Sequence, residues 1–418
     1  MLGPLDADAA RAIRRSVRLG WTVVASAFVI MFVTFGAVYS YTAFFASLQQ
    51  AFAASRGDVS LAFSIAVPLF YLVGAASGPL ADRFGARLTC LFGVIIGGSG
   101  LLFAAAATTL WQVYVGFGLG LGLGIGFSYV PAIAAVQRWF VTRRGFASGL
   151  TVSGIGFGTL LMPLLAAELI SRTDWRGAWT AFGLIILIVG GAAALVMDNL
   201  PERHGALPDG GVIGIGTYAT EGQVEGASLR EAIRSRPFFL LYASLIVIWI
   251  GASVPFVHLV PYAEDHGLSH SAAVAIFGLV GIGSIVGRFL LGSAADRFSR
   301  RWLLAAAFAG IALTELWLLV ATTVWQLSLF SLVFGACYGG FVALYAAITV
   351  DYFGRRNASG IIGCLYTAGA AGSFVGPMLA GGAFDVLGSY EIPIAVGAGC
   401  AALAVAFLIA APEPIPSR

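Results

Sequence analysis

The sequence predicts an all-α membrane protein of twelve transmembrane helices in two pseudo-symmetric six-helix bundles. Three observations predict it. The chain has 418 residues, is 59% hydrophobic and only 10% charged, and has a mean hydropathy of +0.92, a composition foreign to soluble domains. Its apolar residues fall in runs of about 20, the length a helix needs to cross a bilayer. Its loop motifs recur at a fixed offset of 214 residues.

The first 19 residues hold Arg11, Arg14, Arg15 and Arg18. The apolar stretch behind them is too long for a cleaved signal peptide, so it reads as a first span with a cytoplasmic N-terminus. The first bundle's segments run over about 20–46, 60–80, 87–107, 111–137, 146–170 and 177–197. A hydrophilic stretch follows, with a Gly-rich patch at Asp209–Gly216 and a capping box at Ser228-Leu-Arg-Glu231 that opens a short helix. The second bundle's segments run over about 237–262, 272–294, 302–322, 325–350, 358–383 and 391–411. The predicted division is therefore 1–198, a cytoplasmic linker 199–236, and 237–418.

The repeat supports this division. Gly78-Pro-Leu-Ala-Asp82-Arg83-Phe-Gly-Ala-Arg87 is echoed by Gly292-Ser-Ala-Ala-Asp296-Arg297-Phe-Ser-Arg-Arg301, and Pro163 by Pro377. Paired halves of this kind suggest a transporter with its site at the midplane. The basic residues are all Arg. Nineteen fall on one side of the predicted topology and three (Arg56, Arg172, Arg176) on the other. That bias puts the nineteen, and both termini, in the cytoplasm of a multi-pass cell inner (plasma) membrane protein. Abundant Ala, Gly and Arg without Lys fits a GC-rich bacterial genome.

Composition also excludes. No clustered basic face suits nucleic acid. Cys90, Cys337, Cys364 and Cys400 lie in apolar segments without a Cys-x-x-Cys or His partner, so they read as small core hydrophobes. No nucleophile–base set, metal cluster or cofactor motif is present, so neither an enzyme nor a cofactor is expected. The Gly runs Gly116–Gly126 and Gly154–Gly158 follow no strand, which points to close helix packing rather than a nucleotide loop.

Arg288 is the one basic residue deep inside an apolar segment. Its guanidinium stays protonated and costs about 2.5–3.5 kcal/mol at a membrane-helix centre. Such groups face a cavity and mark a substrate or ion path. Asp296 lies eight residues later, so Arg288 sits about 12 Å from the cytoplasmic loop, near the midplane of a core about 30 Å thick. No acid lies one helical turn either side of it, so the fork awaits an anion, and a carboxylate suits it. Tyr39, Tyr129, Tyr345 and Tyr366 lie well inside segments and could supply hydroxyls, as could Ser284 one turn before Arg288, while Phe341, one turn before Tyr345, could wall the pocket. Pro255 and Pro261 bend the seventh segment around His258, which with Glu264 and Asp265 forms a candidate outer gate or proton sensor. Glu315, the one acid well inside a segment, reads as an interhelix hydrogen bond rather than a coupling group. Asp82, Arg83 and Arg87, with Asp296 and Arg297, read as a cytoplasmic latch that holds an outward-open state.

The Gly78–Arg87 pattern, its echo and the twelve segments resemble the major facilitator superfamily over essentially the whole chain. Within it the chain resembles the monocarboxylate transporter family. The residues that carry this are Gly20-Trp21-Thr-Val-Val24-Ala-Ser-Ala-Phe28, Phe44-Phe45, Gly122–Pro131 and Arg138–Leu150. The resemblance implies the major facilitator fold and a carboxylate-binding role for Arg288, with Tyr39 and Tyr129 at substrate-lining positions. It also implies related permeases resembling oxalate–formate antiporters. Two departures stand out. Eukaryotic members carry a Lys at the position of Tyr39 and an Asp at that of Ser284, groups the family links to proton coupling. Oxalate–formate-type relatives carry a second cation where this chain has Gly369.

One cavity cation favours a monoanion over a dicarboxylate. The expected function is alternating-access transport of small monocarboxylates such as L-lactate or pyruvate, coupled to protons. Exchange or uptake of another small organic anion, dicarboxylates included, remains the alternative. A membrane sensor that binds without translocating is the third class. The expected partners are the substrate anion, a proton and the lipid bilayer.

Overall fold

The first span is broken near its far end: α1 (Ala7–Tyr39) gives way at Ser40 to α2 (Tyr41–Phe52). The structure, a computed structural model, describes residues 7–140, 143–197, 226–295, 297–354 and 358–412. α3 (Arg56–Phe84) and α4 (Ala86–Ala105) return and cross again. The fourth span joins α5 (Leu110–Val113), a π-helical stretch (Tyr114–Leu121) and α6 (Gly122–Trp139). α7 (Arg144–Arg172) follows, and α8 (Trp175–Ile185) runs through a π turn into α9 (Gly191–Val196).

The second half opens with α10 (Leu229–Ile233), capped by the expected box: Glu231 Oε2 accepts from the Ser228 N–H at 2.8 Å, and Ser228 Oγ from the Glu231 N–H at 3.3 Å. Residues 198–225, most of the predicted linker with its Gly-rich patch, lie outside the described residues. α11 (Arg236–Ala252) and α12 (Pro255–Asp265) form a second broken span. α13 (His270–Ala294), α14 (Arg300–Leu318), α15 (Val324–Phe353), α16 (Ala358–Leu387) and α17 (Glu391–Ala410) complete the fold. Among the described residues twelve helices are long and apolar enough to cross a membrane, in the order the apolar segments predict. Several outrun their segments: the first span covers Ser16–Phe52 and the tenth Val324–Phe353.

The repeat is written into the helix ends as well as the loops. Ser55 caps α3 and Ser269 caps α13; Thr109 with Gln112 and Thr323 with Gln326 form capping boxes, all at the 214-residue offset. Each cap satisfies amides that start a span and contributes about 1 kcal/mol. The two breaks also correspond, Ser40 pairing with Val254 in the repeat.

The halves meet along α3 against α16, α7 against α13, and α2 against α12. The glycine runs make close approaches possible. A Cβ on Gly116 falls 2.6 Å from the Gly100 carbonyl oxygen, and one on Gly158 falls 2.6 Å from that of Phe32. These runs are helix contacts, as their place inside apolar segments predicts.

Candidate functional site between the two halves

Arg288 is set in register by glycines on its own helix. Gly283 and Gly287 let α13 press its backbone onto α15, against Leu332 and Ala336. Gly281 faces α7 of the other half, where a Cβ would stand 2.5 Å from the Gly156 carbonyl oxygen. The helix is thus wedged between both halves, and the next turn delivers a half-buried guanidinium to the seam. Nη1 reaches the Val152 carbonyl of α7 at 3.3 Å, a long bond, and Nε has no partner. No carboxylate among the described residues pairs with Arg288. The fork is held in place by the fold and left mostly unused.

Phenols surround it. The field of Arg288 reaches the side chains of Tyr39, Tyr129, Tyr338 and Tyr366, and Tyr71 faces the same four. Tyr39 of α1 and Tyr338 of α15 meet hydroxyl to hydroxyl at 3.2 Å. Rings close the walls: Phe35 lies 5.2 Å from Tyr129, and Trp249 lies 5.7 Å from both Tyr71 and Tyr338 and 5.6 Å from Phe341. Tyr345 is buried and turns to the Leu241 carbonyl at 3.4 Å. Ser284 is buried where its backbone packs on Gly339 of α15. The arrangement offers one fixed cation, several hydroxyls and aromatic walls, which suits a small anion carrying one further polar group.

The face away from the arginine-rich loops is bolted shut. Arg56, at the start of α3, donates two 2.7 Å bonds to the Asp265 carboxylate and a third to the Tyr390 hydroxyl, with its guanidinium 3.8 Å over the Phe384 ring. The backbone N–H groups of Arg56 and Gly57 donate at 2.8 Å to Asp385 of α16, so one half caps a helix of the other. His258 sits beneath, 2% exposed: Nδ1 is 2.9 Å from the Tyr390 hydroxyl, and Nε2 is 2.9 Å from the Pro377 carbonyl and 3.2 Å from Ser60 Oγ. An Nε2–H tautomer satisfies every partner: Tyr390 donates to Nδ1 while accepting from Arg56. Burial raises the Tyr390 phenol above its usual value, against the opposing pull of Arg56. Thr42 of α2 adds a bond to the Val257 carbonyl at 3.0 Å.

The other gate candidates divide. Asp265 belongs to the bolt, whereas Glu264 pairs with His270 within its own half. At the arginine-rich end, Asp296 and the side chain of Asp82 lie outside the described residues. Arg83 is exposed near Phe84, Arg87 donates to the Met197 carbonyl at 3.0 Å, and Arg297 is exposed.

Sequence reasoning missed Tyr338, Tyr71 and most of the bolt. Tyr338 lies three residues before Phe341 and seven before Tyr345, the spacing of one helix face, and that signal was available. Arg56 starts α3, whereas Asp385 and Tyr390 flank the turn between α16 and α17, and only the packing of the halves brings Arg56 to them.

Comparison with known proteins agrees with this architecture. The model of the Major Facilitator Superfamily matches residues 27–293 and again 253–418. Monocarboxylate transporter 12-B of Danio rerio is 30% identical over 398 residues, covering 89% of this chain and 82% of its own. Monocarboxylate transporter 3 of Rattus norvegicus is 27% identical, over 89% and 76% of the two chains. A solved bacterial homolog of the human lysosomal transporter Spinster, in an inward-facing and unoccupied conformation, shares the fold with a TM-score of 0.64 at 16% identity, over 94% of this chain and 95% of that one. With the repeated halves, the broken first spans and these matches together, the chain belongs to the Major Facilitator Superfamily and, within it, to the monocarboxylate transporter family.

Proposed function

We propose that the protein carries small monocarboxylates such as L-lactate or pyruvate across the cell inner (plasma) membrane by alternating access, together with a proton. The arginine-rich face is then cytoplasmic and the bolted face outward, in line with nineteen arginines against three. One observation carries the reading: Arg288 stands at the seam of the halves with no protein carboxylate among the described residues and an unused Nε.

The empty site is cationic. A bound monocarboxylate neutralises it, and a neutral complex is closed off from water at lower cost than a bare charge. Substrate thereby favours the occluded state through differential binding. Tyr39, Tyr129, Tyr338 and Tyr366 are the proposed partners for a 2-oxo or 2-hydroxy group, with Phe341 and Trp249 as wall. A single cation favours a monoanion over a dicarboxylate. The relatives' names, monocarboxylate transporters 12-B and 3, support the same substrate class.

A second reading, exchange of small organic anions, is favoured by one feature: among the described residues no acid stands beside Arg288 to take a proton. Uptake of labelled lactate, pyruvate, oxalate and a sugar into proteoliposomes, with and without an inward proton gradient, separates the two. Gradient-stimulated lactate or pyruvate uptake is expected. Uptake that ignores the gradient and requires an internal counter-anion overturns proton coupling in favour of exchange.

A further inference from the structure

Glu315 was expected to make an interhelix hydrogen bond, and among the described residues it makes none. The residue lies midway along α14 and is 2% exposed. Its Oε2 has no hydrogen-bond partner, and no Arg or His among the described residues pairs with it. Glycines crowd it instead. Oε1 lies 3.0 Å from where a Cβ on Gly251 would stand, and Oε2 lies 3.0 Å from that of Gly397 on α17. An ionised carboxylate there has no counter-charge and no donors, which a dry interior does not tolerate. The protonated acid is the form this packing accommodates.

Two further features give the carboxyl a role. Gly251 lies in the last turn of α11, two residues before the break at Ser253, so Glu315 packs beside the hinge whose far piece, α12, carries His258 and Asp265 of the outer bolt. Glu315 also lines a small cavity with His258, Tyr262, Tyr390 and Pro255. Its walls are almost wholly apolar, and the polar atoms of His258, Tyr262 and Tyr390 already have partners, so the closed gate keeps the carboxyl dry. Trp249, two residues before Gly251, walls the central site on the other side.

We propose that Glu315 is the group that takes up and returns the coupled proton, at the small cavity it shares with His258 beside the hinge of span seven. This rests on the proton-coupled reading above. With the outer gate open, water reaches the carboxylate and a proton from outside forms the Oε2–H bond. Only the neutral acid then fits the closed gate, so closure selects the loaded carrier. When span seven moves, the O–H bond breaks and the proton leaves by water toward the central site, restoring the carboxylate. The titratable and charged neighbours are His258 and Tyr262 from α12, Tyr390 ahead of α17, and Cys400 on α17. Arg56 and Asp385 act on His258 from α3 and α16.

The test compares wild type with Glu315→Gln, which keeps the shape and mimics the protonated acid. In proteoliposomes the variant should lose all stimulation of lactate uptake by an inward proton gradient, while exchange of labelled for unlabelled lactate persists. Infrared difference spectra of the purified wild type should show a protonated carboxyl band that titrates with pH and is missing from Glu315→Gln. Equal gradient stimulation in variant and wild type, or a carboxyl band that survives the substitution, overturns the assignment of Glu315 alone. A wild type indifferent to the gradient overturns proton coupling and this proposal together. If Glu315→Gln does not fold, the wild-type spectrum still decides: no titrating carboxyl band sinks the proposal.

Discussion

The hydroxyls of Tyr39 and Tyr338 meet at 3.2 Å, one from each half of the molecule, within the field of Arg288. The pair is buried, at 4% and 5% exposure, and rings of Phe63, Phe256 and Phe334 pack around it. It is a contact that separation of the halves breaks and substrate can join. Tyr338→Phe should weaken lactate affinity about fivefold, the worth of one buried hydrogen bond of about 1 kcal/mol. Because the bond is shared, adding Tyr39→Phe should cost little more in a double-variant cycle. Fully additive losses in uptake kinetics contradict a shared role.

Arg288→Lys keeps the charge and loses the fork. Hydrogen bonds to charged groups contribute about 1.5–3 kcal/mol, so kcat/KM for lactate should fall about ten- to a hundredfold. Unchanged kinetics rule out two-pronged capture of the carboxylate.

Arg56 bolts the face away from the arginine-rich loops, yet its pair is partly wet, with side-chain exposures of 14% for Arg56 and 34% for Asp265. Its role is therefore to bias the gate rather than to strengthen the fold. Arg56→Gln should shift the balance toward outward-open by about 1–2 kcal/mol, a factor of about 5–30. A thiol probe on Ser60→Cys, in a background lacking the four native cysteines, should then react correspondingly faster from outside. No change in labelling removes Arg56 from the gate.

Gly158 tests the packing. Val in its place pushes a Cβ to 2.6 Å from the Phe32 carbonyl oxygen and 3.0 Å from Gly36, an overpacking that costs about 1–3 kcal/mol. The melting temperature in detergent should drop, whereas Gly191→Ala, which meets nothing within 4 Å, should leave it in place. An unaltered Gly158→Val melting curve contradicts the close α1–α7 contact.

Most of the fold was legible because membrane helices announce themselves by length and hydropathy. The repeat then placed their halves: Asp82 and Asp296, or Pro163 and Pro377, are linear signals. Arg288 was legible for the same reason, a charge where the bilayer penalises charge. Glu315 carried the same kind of signal and was misread, because sequence cannot say whether a buried acid finds a donor. The bolt was legible only in part. Asp265 and His258 drew attention through prolines and charge, but Arg56 looked like an ordinary loop arginine, and its partners come from three other helices' ends. Such a site exists only in one arrangement of the halves, which no local pattern encodes.

The most direct measurement is equilibrium binding of lactate to purified protein by calorimetry, wild type against Arg288→Gln, with melting curves to verify folding. Saturable binding by the wild type and none by the folded variant is the predicted result. Equal affinity in the two proteins would contradict capture of the carboxylate by Arg288, and with it the account of how substrate drives the halves.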